Sequence, residues 1–139
     1  MSWVYEQSNG NLTDPSGKII GVGFSGNGTG MNNPSMQSVH NIGPLPQGNY
    51  TKGIELDKPN TGPFSIPLIP DPNNNMFGRG SFYMHGSAPN IDRFGYVEVN
   101  GLKEPVSDGC ICMGREIREI FYNSPDNILV VILWTPLFQ

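Results

Sequence analysis

The chain has 139 residues, eight of them Lys or Arg against twelve Asp or Glu, for a formal net charge of −4, with 14% charged and 37% hydrophobic residues. That length makes a single domain, 1–139, able to bury a core without metals or cross-links. The acidic balance offers no basic stripe for a nucleic-acid partner, and the longest apolar run, Ile128–Trp134, is far too short to span a bilayer, so no membrane insertion is expected. Eighteen Gly and thirteen Pro, with few charges, read as a loop-rich, mainly β domain. The start, Met1-Ser2-Trp3-Val4-Tyr5-Glu6, has neither the basic flank nor the apolar centre of a signal peptide, which predicts synthesis in the cytoplasm without an export signal.

In chain order, Trp3–Gln7 alternates as a strand and runs into Asn9-Gly10, a hairpin signal. Asn11–Thr13, the turn Asp14-Pro15-Ser16-Gly17 and Lys18–Phe24 complete an expected meander of three strands. From Gly26 to Pro46 the composition turns to Gly, Asn, Ser and Pro, a long excursion with one helical turn expected near Ser35–Val39. Within it, Gly26-Asn27-Gly28-Thr29-Gly30 lacks the Lys-Ser/Thr of a phosphate loop and reads as a plain flexible loop. Asn49–Glu55 and Phe64–Ile69 are strand candidates, and Pro67 predicts that the second lies at an edge or a bulge. Gly80–Gly86 reads as a strand ending in His85, Phe94–Val99 as another, Arg115–Phe121 as a helix, and Ile128–Trp134 as a buried strand.

Two stretches carry chemistry. Ser107-Asp108-Gly109-Cys110-Ile111 follows Pro105 and precedes the helix, a setting expected to put Cys110 on a tight turn where helix N–H groups favour a thiolate and hold an oxyanion. Gly80-Ser81-Phe82-Tyr83-Met84-His85-Gly86 delivers His85 to a strand end as a base, with His40 the fallback. Each residue taken alone also fits a packing role. Cys110 and Cys112 lie too close for an unstrained disulfide, and no metal or cofactor is expected. Arg79 and Arg93 flank the His85 strand as candidates to meet a substrate carboxylate.

Together the two stretches resemble the signature of the L,D-transpeptidases, the YkuD-like family: a His-Gly pair, a spacer, then Ser/Thr-His-Gly-Cys and an apolar residue. Here these are His85-Gly86 and Ser107-Asp108-Gly109-Cys110-Ile111. Gly43-Pro44-Leu45-Pro46-Gln47-Gly48-Asn49-Tyr50 is similar to the Pro-x-Gly-x-aromatic segment that precedes the active-site half. A closer likeness is to the compact Tlde1-type type VI secretion effectors, which open with Trp-Val-Tyr-x-Gln and a Gly-rich segment, as Trp3–Gln7 and Gly21–Gly26 do. The chain departs from the signature at Asp108, where a histidine is usual, and at Cys112, where arginine or asparagine is usual. Its spacer after Gly86 is longer, which implies a larger loop over the site.

The resemblance implies a sandwich or barrel-like β catalytic domain with one short helix after the cysteine. It implies a Cys110 nucleophile and a His85 base oriented by a carbonyl or hydroxyl near Gly86 and Ser87. Main-chain N–H groups around Gly109 and Cys110 would bind the oxyanion, Ser107 would support the turn, and the role of Asp108 stays open. The substrates implied are peptidoglycan tetrapeptide stems, with water, free D-amino acids or a second stem as acceptor. The implied setting is the periplasm of a target bacterium, with a secretion-machine carrier and an immunity protein as partners. Other readings are a housekeeping cross-linker, a cysteine peptidase of another clan, or a non-catalytic glycan-binding β module.

Overall fold

The computed structural model describes residues 1–58, 61–87 and 91–134. The expected meander forms from β1 (Ser2–Glu6), β2 (Asn11–Thr13) and β3 (Ile19–Val22), all antiparallel neighbours. Its first turn closes with Gly10 N–H donating to the Glu6 carbonyl at 2.9 Å. In the second, the Asp14 carboxylate accepts from the N–H groups of Ser16 and Lys18, and this is what an aspartate at the head of a turn supplies.

After β4 (Phe24–Ser25), the excursion holds two short 3-10 turns, Gly28–Gly30 and Pro34–Met36, the second capped by the Asn33 side chain. Then come β5 (Gly48–Lys52), β6 (Leu56–Lys58), β7 (Gly62–Pro70) and β8 (Phe82–His85). β9 (Tyr96–Val99) and β10 (Leu102–Pro105) form a separate two-stranded sheet, so the long spacer is a hairpin rather than a loop. The chain finishes with β11 (Ile111–Cys112), α1 (Arg115–Asn123) and β12 (Ile128–Ile132).

The main sheet runs β3-β2-β1-β12-β5-β7-β8-β11-β4, with β6 paired to β7. Its two ends, β3 and β4, are one continuous stretch of chain bent at Gly23, whose N–H donates to the Gly10 carbonyl at 2.8 Å. The sheet therefore curls back on itself, and one segment pairs with β2 on one flank and β11 on the other. Gly23 is required at the seam, because a Cβ there would run into the Cys112 carbonyl and the Met113 side chain.

Pro67 does not mark an edge: β7 lies between β5 and β8. The proline is tolerated because it lies just past the end of the β5 ladder, where its carbonyl still accepts from Gly53 N–H at 2.8 Å. The Ile128–Trp134 run is buried on one side only. Leu129 and Val131 face the core while Ile128 is exposed, and Leu133 and Trp134 lie beyond the strand.

Register aligns Ile66, Met84 and Ile111 across three neighbouring strands, all fully buried. Trp3, Tyr5, Leu12, Tyr50, Leu68 and Phe121 join them in the core, with Trp3 edge-on to Phe121. The helix is pinned at its C-terminal end by Lys52, whose Nζ donates to the carbonyls of Phe121, Tyr122 and Ser124, satisfying acceptors that have no partner within the helix.

Candidate active site

Strands β8 and β11 are parallel neighbours, with Met84 opposite Ile111 and His85 opposite Cys112. A parallel pair needs a crossover, and the β9–β10 hairpin lies within it. This brings Cys110, just before β11, and His85, at the end of β8, to the wall of one cavity of about 680 Å³. Lys58, Arg79, Tyr83, Glu104 and Asp108 complete its chemistry.

His85 is 3% exposed, and its Nδ1 donates to the Gly86 carbonyl at 2.7 Å. With the proton held on Nδ1, Nε2 keeps its lone pair. Burial lowers the imidazole's pKa, and the nearby Arg118 cation adds to the effect, against the Gly86 hydrogen bond and Asp108.

Cys110 is half-buried and does not hydrogen-bond His85. Its sulfur accepts from Tyr83 N–H at 3.3 Å, at the end of the β8 ladder. The helix begins at Arg115, as expected, but β11 separates it from Cys110 and α1 is capped at Gly114, so its N-terminal N–H groups are not at the sulfur. Without that dipole, burial dominates and pushes the thiol up to about 11, with Asp108 adding to it. The thiol that touches the imidazole is Cys112, 3.8 Å from Nδ1 and 3.9 Å from Nε2.

The loop that carries Cys110 is fastened on several sides. Ser107 Oγ accepts from Gly26 N–H and Gly109 N–H and donates to the Cys110 carbonyl at 2.5 Å. Ser25 Oγ donates to the Gly109 carbonyl, and Asn27 Nδ2 to the Ser107 carbonyl. The Gly-rich segment is thus a buttress for the cysteine loop rather than a free loop. Gly109 has φ +132, and a Cβ there would strike the Arg79 guanidinium. Its N–H is engaged by Ser107, so the donor that points at the sulfur is Tyr83 N–H.

Arg79 is 7% exposed and donates to four main-chain carbonyls, those of Gln37, Gly43, Pro44 and Asp108. It clamps the excursion to the cysteine loop. Asp108 sits at the rim, its carboxyl raised by partial burial against the pull of Arg79 and His85. His40 lines the same cavity, with Nε2 2.9 Å from the Phe77 carbonyl. Arg93 is exposed, stacks on Phe94 and lies outside the cavity, and Ser87 is exposed on the far side of Gly86.

Sequence reasoning missed Lys58, Tyr83 and Arg118. Lys58 Nζ lies 4.4 Å from the Tyr83 ring centroid and donates to its hydroxyl at 3.0 Å, and both line the cavity. No motif marks the lysine in the three-residue strand Leu56–Lys58. Among the described residues, no group of three or more His, Cys, Asp or Glu side chains converges to hold a metal ion.

Fold and site define a mainly β domain that gathers a thiol, an imidazole and two cations around one cleft. A family model described as the Tlde1 domain matches residues 21–128, so the chain belongs to the Tlde1 domain family, a family of type VI secretion effectors. An effector of this family has a cognate immunity protein as partner. No curated protein and no solved structure matches the chain. No helix among the described residues is long and apolar enough to cross a membrane.

Proposed function

We propose that this chain is a cysteine acyl-transferase acting on peptidoglycan tetrapeptide stems in the periplasm of a target bacterium. The observation that supports this most is the shared cavity: Cys110 and His85, 25 positions apart by number, border the same opening, and Gly86 fixes the imidazole tautomer that a base needs.

The Cys110 sulfur attacks the carbonyl that joins the third stem residue, an L-configured centre, to the terminal D-Ala. The thiol is neutral and the imidazole is neutral at pH 7, so the thiol proton passes to His85 Nε2 as the S–C bond forms, without a standing ion pair. Reaching Nε2 requires the sulfur to turn from Tyr83 N–H, a tightening that accompanies substrate binding in many enzymes. The vacated Tyr83 N–H then donates to the oxyanion, a contribution of about 3 kcal/mol.

Collapse breaks the C–N bond, His85 returns the proton to the departing D-Ala amine, and a thioester remains on Cys110. Water, a free D-amino acid or a second stem amine then attacks. Its proton goes to His85, the C–S bond breaks, and His85 reprotonates the sulfur. Lys58 gives the cleft a positive charge suited to the carboxylates of a stem peptide. A secretion-machine carrier delivers the chain, and the immunity protein guards the periplasm of kin.

Incubation with tetrapeptide muropeptides and free D-amino acids, read by mass spectrometry, tests the proposal. Tripeptides, exchanged termini or 3-3 dimers are the expected products and report the acceptor used. Unchanged tetrapeptides would defeat it.

A further inference from the structure

His85 borders a second cavity of about 500 Å³ on its Gly86 side, lined also by Thr61, Pro63, Val97, Pro105 and Arg118. Arg118 projects from α1 and is 4% exposed. Its Nη1 donates to the Met113 carbonyl at 3.2 Å, while its Nε is buried without a partner among the described residues. None of the described ion pairs includes it. The guanidinium presses on the His85-Gly86 turn: a Cβ added to Gly86 would sit 2.6 Å from Nη1.

An arginine does not shed its proton to escape burial, so an unpaired buried guanidinium is costly unless something completes it. A carboxylate fits, since it meets the guanidinium fork with two parallel hydrogen bonds. Burial and the nearby Arg115 cation disfavour the charged form of Arg118, against the opposite pull of Cys112 and Glu119. The position two after Cys110 holds Cys112 and no cation, and Arg118 reaches the same neighbourhood from the helix.

We infer that Arg118 and the Gly86-side cavity form a subsite for the carboxylate of the acceptor, a free α-amino acid. The inference rests on the acyl-transfer reading. Donor peptide occupies the cavity that holds Cys110 and Lys58, so the acceptor enters by the adjoining Gly86-side cavity, which shares Thr61, His85, Pro105 and Val106 with it. An amino acid held by its carboxylate carries its amine one carbon away, in the space bordered by the imidazole that must take its proton. Pro63, Val97 and Pro105 give the side chain an apolar wall.

The test titrates D-alanine and D-alaninamide into the native chain and follows the Gly86 amide and Arg118 Nε–H signals by NMR. D-Alanine should move both signals and bind about tenfold more tightly than the amide, which lacks the carboxylate. Arg118→Gln should abolish the difference and Arg118→Lys should restore part of it. Equal binding of acid and amide, shifts confined to the Cys110 cavity, or no shift at millimolar D-alanine would each overturn the inference. If Arg118→Gln fails to fold, the acid-against-amide comparison on the native chain decides alone. Binding at Arg118 with inert tetrapeptides would sink the acyl-transfer reading and leave the subsite. Active turnover with no carboxylate preference would do the reverse.

Discussion

The Cys112 sulfur lies almost equally far from the two nitrogens of the His85 ring, 3.8 Å from Nδ1 and 3.9 Å from Nε2, favouring neither. Cys112 therefore packs on the imidazole ring, and the proposed nucleophile is Cys110. Cys112→Ala should cost about 1 kcal/mol of stability through lost packing and still form an acyl adduct on Cys110. Cys110→Ala should form none. Intact-protein and peptide mass spectrometry after incubation with tetrapeptides checks this, and an adduct mapped to Cys112 would reassign the nucleophile.

Because burial holds the Cys110 thiol near 11, alkylation by iodoacetamide in the free protein should climb about tenfold per pH unit between about pH 7 and 10. A plateau near neutrality would reveal a standing thiolate instead.

His85 titrates below its ordinary 6.5, chiefly through burial. The unfolded chain takes up that proton near 6.5 and the folded chain only at lower pH, so protonation favours unfolding. The stability tied to this residue is complete above 6.5 and falls away as pH drops through the lower folded value. His85→Gln should remove that dependence in urea titrations and abolish turnover. The acid limb of turnover in the native chain should lie below 6.5.

Arg79→Met should destabilise the fold by about 3 kcal/mol, because four carbonyls lose a charged donor at once. Chemical denaturation measures the loss. A change under about 0.5 kcal/mol would mean that the clamp is replaceable by water.

Gly23→Ala tests the seam of the sheet. With no room for a Cβ against the Cys112 carbonyl, the substitution should cost about 3 kcal/mol and release β4 from β11. Faster hydrogen exchange at Ser25 and Ile111 than at Leu129 would locate the damage.

What could be read ahead of the structure was local. Asn9-Gly10 specifies its turn by backbone preference, and the aromatic run to His85 specifies a strand by alternation. The helix over Arg115–Asn123 follows from its own periodicity. What escaped depended on partners distant in sequence. Cys110 lost its expected helix dipole because two residues, Ile111 and Cys112, found ladder partners in β4 and β8. Arg79 looked like a substrate arginine and is held by carbonyls from the 37–44 segment, which no spacing rule connects to it. Pro67 looked like an edge marker because composition does not tell where a neighbouring ladder stops.

Among the described residues β12 is the last strand to be synthesised, yet it sits between β1 and β5, with the register Trp3↔Leu129↔Tyr50 across all three. A nascent polypeptide on the ribosome therefore displays two open strand flanks until residue 132 has emerged, and such flanks recruit other chains. Translation products cut short before Ile128 should accumulate as insoluble aggregates even though they contain both the sulfur and the imidazole.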